Sequence, residues 1–174
     1  MKKLFIIIIL NLLLSINIIN PSVKIESKAK ASSPPRLAIV IDDFGEDRRG
    51  VEEMLNIPCK LTIAVMPGME YTSEDAKEAT KKGHEVILHM PMENISYTPD
   101  YYYGTKVIRN NYSEKQAVDV LTESLAEVPE AVGINIHMGT GVSQNKTLLK
   151  AMMNEAKTRG LYFLDSKTVE ATKC

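Results

Sequence analysis

The sequence predicts an α/β fold built on a parallel sheet, and three observations carry that prediction. Short apolar, β-branched runs alternate with stretches of helical period. The runs are continuous rather than alternating, as in strands covered on both faces. Polar residues collect where the runs end: Asp42-Asp43 ends LAIVIDD, His89 ends HEVILH, His137 ends GINIH and Asp165 ends LYFLD. In parallel strands those four ends share one rim of the sheet, the usual place for α/β sites.

Taken in order, Leu37–Ile41 reads as the first strand, and Asp47–Asn56 as a helix with Val51, Met54 and Leu55 at helical spacing. Lys60–Met66 is a second strand stopped by Pro67-Gly68. Thr72-x-x-Asp75 reads as a capping box opening a helix that Gly83 closes, and His84–His89 as the third strand. Met92–Tyr112, with Pro99, three successive tyrosines, Gly104 and several asparagines, keeps no period and reads as a long loop at the functional end. Ser113-x-x-Gln116 caps a helix whose apolar face is Ala117, Val118, Leu121 and Leu125. Gly133–Ile136 is a fourth strand. Ser143–Arg159 is a helix with Leu148, Leu149, Met152, Met153 and Ala156 on its core side, and Leu161–Leu164 a fifth strand. Five such strands do not close a barrel. The pattern fits either a small open sheet or an architecture of which this chain holds a part.

A chain of 174 residues, 44% apolar and 25% charged, suits one globular domain, and a net charge of −1 carries no nucleic-acid footprint. Cys59 and Cys174 make neither a CxxC pair nor a disulfide framework, and Cys59 beside Pro58 reads as a buried small hydrophobe. The N-terminus is different in kind. Lys2 and Lys3 precede the apolar stretch Leu4–Ile19, and Ala29-Lys30-Ala31 follows, which is the layout of a secretory signal. An uncleaved anchor that associates with the membrane through residues 4–19 is the alternative, although this stretch falls just short of the roughly 17–25 residues that span a bilayer. Residues 1–31 are therefore read as signal peptide or membrane anchor, 32–35 as linker and 36–174 as the folded domain. That domain is expected to be periplasmic, secreted or held on the outer face of a membrane.

Adjacent carboxylates after a buried strand repel one another unless a cation or donors offset their charge. Side chains alternate along a strand, so Asp42 and Asp43 are expected to point in different directions, one towards a metal and one towards a substrate. His89 is followed by Pro91, which stiffens the backbone, and by Glu93. His84 starts the same run, lies at the opposite end of the sheet and reads as structural. Asn135 and His137 are two apart and share a strand face. Two histidines and an aspartate from three strands match a catalytic zinc site with an open position. A polar cluster that braces loop backbones is the other reading of the same residues.

The motifs LAIVIDDFG, GHEVILHMPME, GINIHMG and FLDSKT, in that order and spacing, resemble the divergent polysaccharide deacetylase family, relatives of the NodB-like carbohydrate esterases. The resemblance runs from about Arg36 to Thr168. It implies a parallel (β/α) barrel of which this chain holds about five β/α units, the family's later strands and late glycine-histidine motif lying beyond Cys174. It also implies that Asp42 is the general base and that Asp43 binds a divalent metal, zinc being expected. His89 matches the first of two family metal histidines, Glu93 stands where the second would be, and His137 is expected to supply the missing imidazole. Asn135 and Glu93 would contact substrate or support the site, Asp165 would support it, and Tyr101–Tyr103 would contact sugar. Ile136 and Lys167 depart from the family's usual Asn and Arg. The implied reaction is hydrolysis of acetyl groups on an N-acetyl sugar of an envelope polysaccharide or peptidoglycan. The alternatives are an exported metal- or glycan-binding domain without turnover, or a membrane-anchored interaction protein.

Overall fold

A computed structural model describes residue 34 and residues 36–174; the expected signal or anchor and most of the linker lie outside the described residues. The compact unit Leu37–Cys174 contains strands β1 (Val40–Phe44), β2 (Thr62–Val65), β3 (Glu85–Met92), β4 (Gly133–Met138) and β5 (Tyr162–Leu164). Its helices are α1 (Val51–Leu55), α2 (Thr72–Lys81), α3 (Glu114–Glu127) and α4 (Lys146–Thr158). The strands form one parallel sheet in the order β1-β2-β3-β4-β5. The α/β class and the alternation of strand and helix are as the sequence predicts.

Because every crossover steps in the same direction, right-handed connections put the helices on one face of the sheet. On that face Ile63, Val65, Leu88, Met90, Ile134 and Ile136 pack with Ala76, Leu121, Leu148, Met152 and Ala156. Each fully buried Leu or Ile is worth about 1.5–3 kcal/mol, so this layer is the main store of stability. The pleat assigns the other face, where register pairs His89 with Asn135, Pro91 with His137 and Gly133 with Tyr162. The Tyr162 ring lies across Gly133, where an added Cβ would come within 2.6 Å of it, and the Tyr162 hydroxyl donates to Glu85 at 2.6 Å.

Several local expectations are corrected. Thr72 does not cap α2: its hydroxyl donates to the Met66 carbonyl at 2.7 Å and accepts the Met69 N–H at 2.9 Å, so the helix starts at Thr72 with Tyr71 as an N-cap that offers no side chain. Asp75 is turned inwards. The first helix shrinks to Val51–Leu55 because Gly50, with φ 75, breaks the turn before it. The last begins at Lys146 with Asn145 as N-cap, after a 3-10 turn over Val142–Gln144. On that helix Met153 lies on the exposed shoulder of the apolar stripe. The segment expected as one long loop is partly ordered: β3 runs on to Met92, Ile108 N–H donates to the Pro91 carbonyl, and Asp100–Tyr103 forms a 3-10 turn. Cys59 is exposed, not buried, and like Cys174 it is free. His84 is structural, with Nδ1 accepting the Leu61 N–H and Nε2 bonded to the Leu55 carbonyl.

The capping box at α3 is present in full, Ser113 and Gln116 bonding reciprocally to each other's backbone N–H. Ser113→Ala is expected to cost about 1 kcal/mol. Urea denaturation followed by circular dichroism checks this, and an unchanged midpoint would contradict it.

Candidate metal centre

The site begins with an irregularity in β1. Its pairing with β2 shifts register between Ile41 and Phe44, and Asp43 adopts a left-handed backbone, φ 66. For a residue other than glycine that conformation costs of order 1–3 kcal/mol and persists only where neighbours impose it. The shift corrects the expectation that the two carboxylates diverge. Asp42 and Asp43 approach opposite nitrogens of one imidazole: Asp42 Oδ1 lies 3.7 Å from His89 Nδ1, and Asp43 Oδ1 lies 3.2 Å from His89 Nε2.

His89 is buried, and its neighbour across the β3–β4 register, Asn135, fixes its proton. The Asn135 amide nitrogen donates to Asp42 Oδ1 at 2.8 Å, so the amide oxygen, 2.8 Å from His89 Nδ1, is the accepting end. That assigns the hydrogen to Nδ1 and leaves the Nε2 lone pair free. His137 is oriented in the opposite sense. Its Nε2 lies 2.9 Å from the Tyr102 carbonyl, which only accepts, so its Nδ1 is the bare nitrogen.

The two free lone pairs and one carboxylate oxygen now face each other. Asp43 Oδ1 is 3.0 Å from His137 Nδ1, and His137 Nδ1 is 3.1 Å from His89 Nε2. Three acceptors at such separations repel unless a proton or a cation sits among them. Ligand atoms about 2.0–2.2 Å from one tetrahedral ion would be roughly 3.3 Å apart, close to the spacing seen. Asp43, His89 and His137 therefore form a site that can hold a metal ion. Both imidazoles donate their remote N–H to a carboxamide or backbone oxygen, the support that metal-ligating histidines ordinarily have. When the facing nitrogens carry a proton in place of a cation, hydrogen bonding from His137, then from His89, holds the Asp43 carboxyl far below the usual carboxylate range. Burial works to lower the proton affinity of His137, but Asp43 and the Tyr102 carbonyl outweigh it and the net shift is upward.

Of the other residues read from the sequence, Asn135 and Asp42 join this cluster directly. Glu93 does not: its carboxylate accepts the Asn110 N–H at 2.8 Å and faces Arg109 at 3.4 Å, bracing the loop after β3. Asp165 accepts the Lys167 N–H at 2.8 Å and shapes the turn after β5. Among the tyrosines, Tyr101 and Tyr102 are exposed, whereas Tyr103 is buried and accepts the Asn94 N–H through its hydroxyl. The Tyr102 carbonyl escapes sequence reasoning altogether. A backbone atom in a loop carries no residue signature.

Residues 39–174 match the family described as divergent polysaccharide deacetylase. The chain belongs to that family. The match covers the whole metal centre. The chain is 35% identical over 138 residues to the uncharacterized protein YibQ of Escherichia coli, covering 79% of this chain and 42% of that one. It is 29% identical over 134 residues to an uncharacterized protein of Haemophilus influenzae, covering 77% of this chain and 47% of the relative. The chain thus spans less than half the length of these two curated relatives. The crystal structure of the uncharacterized protein ATU2773 from Agrobacterium tumefaciens has the same fold, with a TM-score of 0.72 at 23% identity over 81% of this chain and 58% of that one.

Asn135 offers a direct test of the support it gives. Asn135→Ala is expected to weaken zinc binding about 10- to 100-fold, because His89 loses the partner that sets its tautomer. Competition against a chelator of known affinity reads this out, and undiminished affinity would remove Asn135 from the account.

Proposed function

We propose that this domain is a metal-dependent hydrolase that removes acetyl groups from an N-acetyl sugar of an envelope polysaccharide. The observation that carries the reading is the convergence of Asp43 Oδ1, His89 Nε2 and His137 Nδ1, with Asp42 held beside them by Asn135. A divalent ion held there, zinc on this reading because two imidazoles and a carboxylate suit it, would polarise a carbonyl oxygen and lower the pKa of water. The remaining work falls to the chain. Asn135 keeps the Asp42 carboxylate in place, and Asp42 takes the proton of the attacking water as general base. Water oxygen adds to the acyl carbon, the C–N bond breaks, acetate leaves and the released amine takes up the proton.

Two cavities support the substrate class. A pocket of about 210 Å³ beside Asp43 and His137 is lined by Glu46, Tyr101 and Tyr102 and by Met66, Met69 and Met138, whose side chains offer an apolar patch suited to an acyl methyl. A larger cleft of about 780 Å³ is lined by Asn94, Ser96, Tyr97, Thr98, Gln144 and Asn145, among others. Its Arg109 is already paired with Asp100 at 2.7 Å and Glu93 at 3.4 Å, which leaves amides, hydroxyls and the exposed Lys146 ammonium for a ligand to meet. The amides and hydroxyls suit a hydroxyl-rich chain of sugars. The chain-order sheet with helices on one face is read as the wall of a NodB-like (β/α) barrel. The basic, apolar and small-residue layout of residues 1–31 supports export to the envelope where such a polymer lies.

Zinc content of the purified protein and acetate release from acetylated chitooligosaccharide or peptidoglycan test the proposal together. His89→Ala and His137→Ala are expected to lose the ion. Asp42→Asn is expected to keep it and to lower kcat by roughly 100-fold or more. Wild type without affinity for any divalent ion would end the metal reading, and tight binding without acetate release would leave a binding domain in its place.

A further inference from the structure

Asp75 is a helix residue whose carboxylate is 0% exposed. A charge is rarely buried so completely unless partners compensate it, and two do so here. Its Oδ2 accepts the backbone N–H of Gly45 at 2.8 Å, and its Oδ1 pairs with the Arg48 guanidinium. Arg48 is itself shared with Glu78 at 2.6 Å and Glu74 at 3.6 Å. Helix α2 gains no capping bond from this side chain, and the Asp75 N–H is already bonded to the Tyr71 carbonyl at 2.9 Å. The carboxylate is therefore directed at the turn after β1.

That turn carries Asp43. Gly45, two residues on, has φ 108, its carbonyl accepts the Tyr71 N–H at 2.9 Å, and an added Cβ would lie 3.1 Å from the Met66 carbonyl. Phe44 between them is buried, and its carbonyl accepts the Met66 N–H at 2.8 Å. The left-handed backbone of Asp43 needs a neighbour that imposes it, and the Gly45 N–H is the donor that the buried carboxylate grips.

We propose that Asp75 is a positioning residue of the metal centre: from inside α2, with Arg48 balancing its charge, it holds the Gly45 N–H and so keeps the 42–45 turn in the conformation that aims Asp43 at His89 and His137. This rests on the metal-site reading of that cluster. Asp75 touches neither the ion nor the substrate and acts only through the backbone of the turn.

The test measures zinc affinity by chelator competition and the thermal midpoint for the full chain and its variants. Asp75→Ala is expected to bind zinc 10- to 100-fold more weakly than wild type. Leu125→Ala, a core change on α3 away from the site, is expected to lower the midpoint with little effect on affinity. Asp75→Asn, which keeps an acceptor for the Gly45 N–H, is expected to retain most of the affinity even where stability falls. If Asp75→Ala does not fold, Asp75→Thr takes its place: its hydroxyl can bond the Tyr71 carbonyl one turn back, which removes the Gly45 acceptor without leaving an empty volume. Wild-type affinity in a folded Ala or Thr variant overturns the proposal. So does an equal loss in Asp75→Asn, which would show that the charge matters and the bond to Gly45 does not. Wild type that binds no zinc fails earlier, at the metal-site reading.

Discussion

Parallel pairing in chain order is the constraint from which the rest follows. Because β3 and β4 run side by side in one direction, His89 and Asn135 fall opposite each other on the same face. The same direction brings the end of β1 to that rim with its two carboxylates. An antiparallel neighbour would carry those residues to the far end of the sheet. The short bond between the Asn135 amide and His89 is thus a product of topology before it is a piece of chemistry.

The amide then divides two jobs between two adjacent aspartates. One end of Asn135 holds Asp42 and the other sets the tautomer of His89, whose opposite nitrogen faces Asp43. A single side chain therefore ties the group read as base to a group read as ligand. Neither can move far without the other. The loop after β3 makes a similar tie on the far side, since the Tyr102 carbonyl orients His137 while the Tyr101 and Tyr102 rings stand exposed at the surface.

Strands ending in Asp, His or Asn-x-His are visible in a sequence because the strand period and the parallel rule are both local. That is why Asp42, Asp43, His89, Asn135 and His137 can be assembled from the sequence alone. What stays hidden depends on contacts between distant segments. The register shift at Asp43 comes with the burial of Phe44 in the core, and no residue type announces it. Asp75 has the spacing of a capping residue and is claimed instead by Gly45 and Arg48, thirty and twenty-seven positions away. Glu93, which the resemblance sets where a histidine is expected, is turned to the loop by Asn110 and Arg109. The segment after Met92 lacks a period because its order comes from single backbone bonds to Pro91 and Glu93 rather than from a repeating face.

The two imidazoles owe their orientation to a carboxamide and a backbone carbonyl, neither of which lies between the rings. In small zinc-built domains the ion is the keystone, and the chain collapses around it. Here the orienting bonds belong to the sheet and the loop, and an ion held between the rings would be a guest. Its binding to groups already oriented in this way would order little else, so the conformational entropy lost would be small. Its departure should leave the sheet, the helices and the cleft standing.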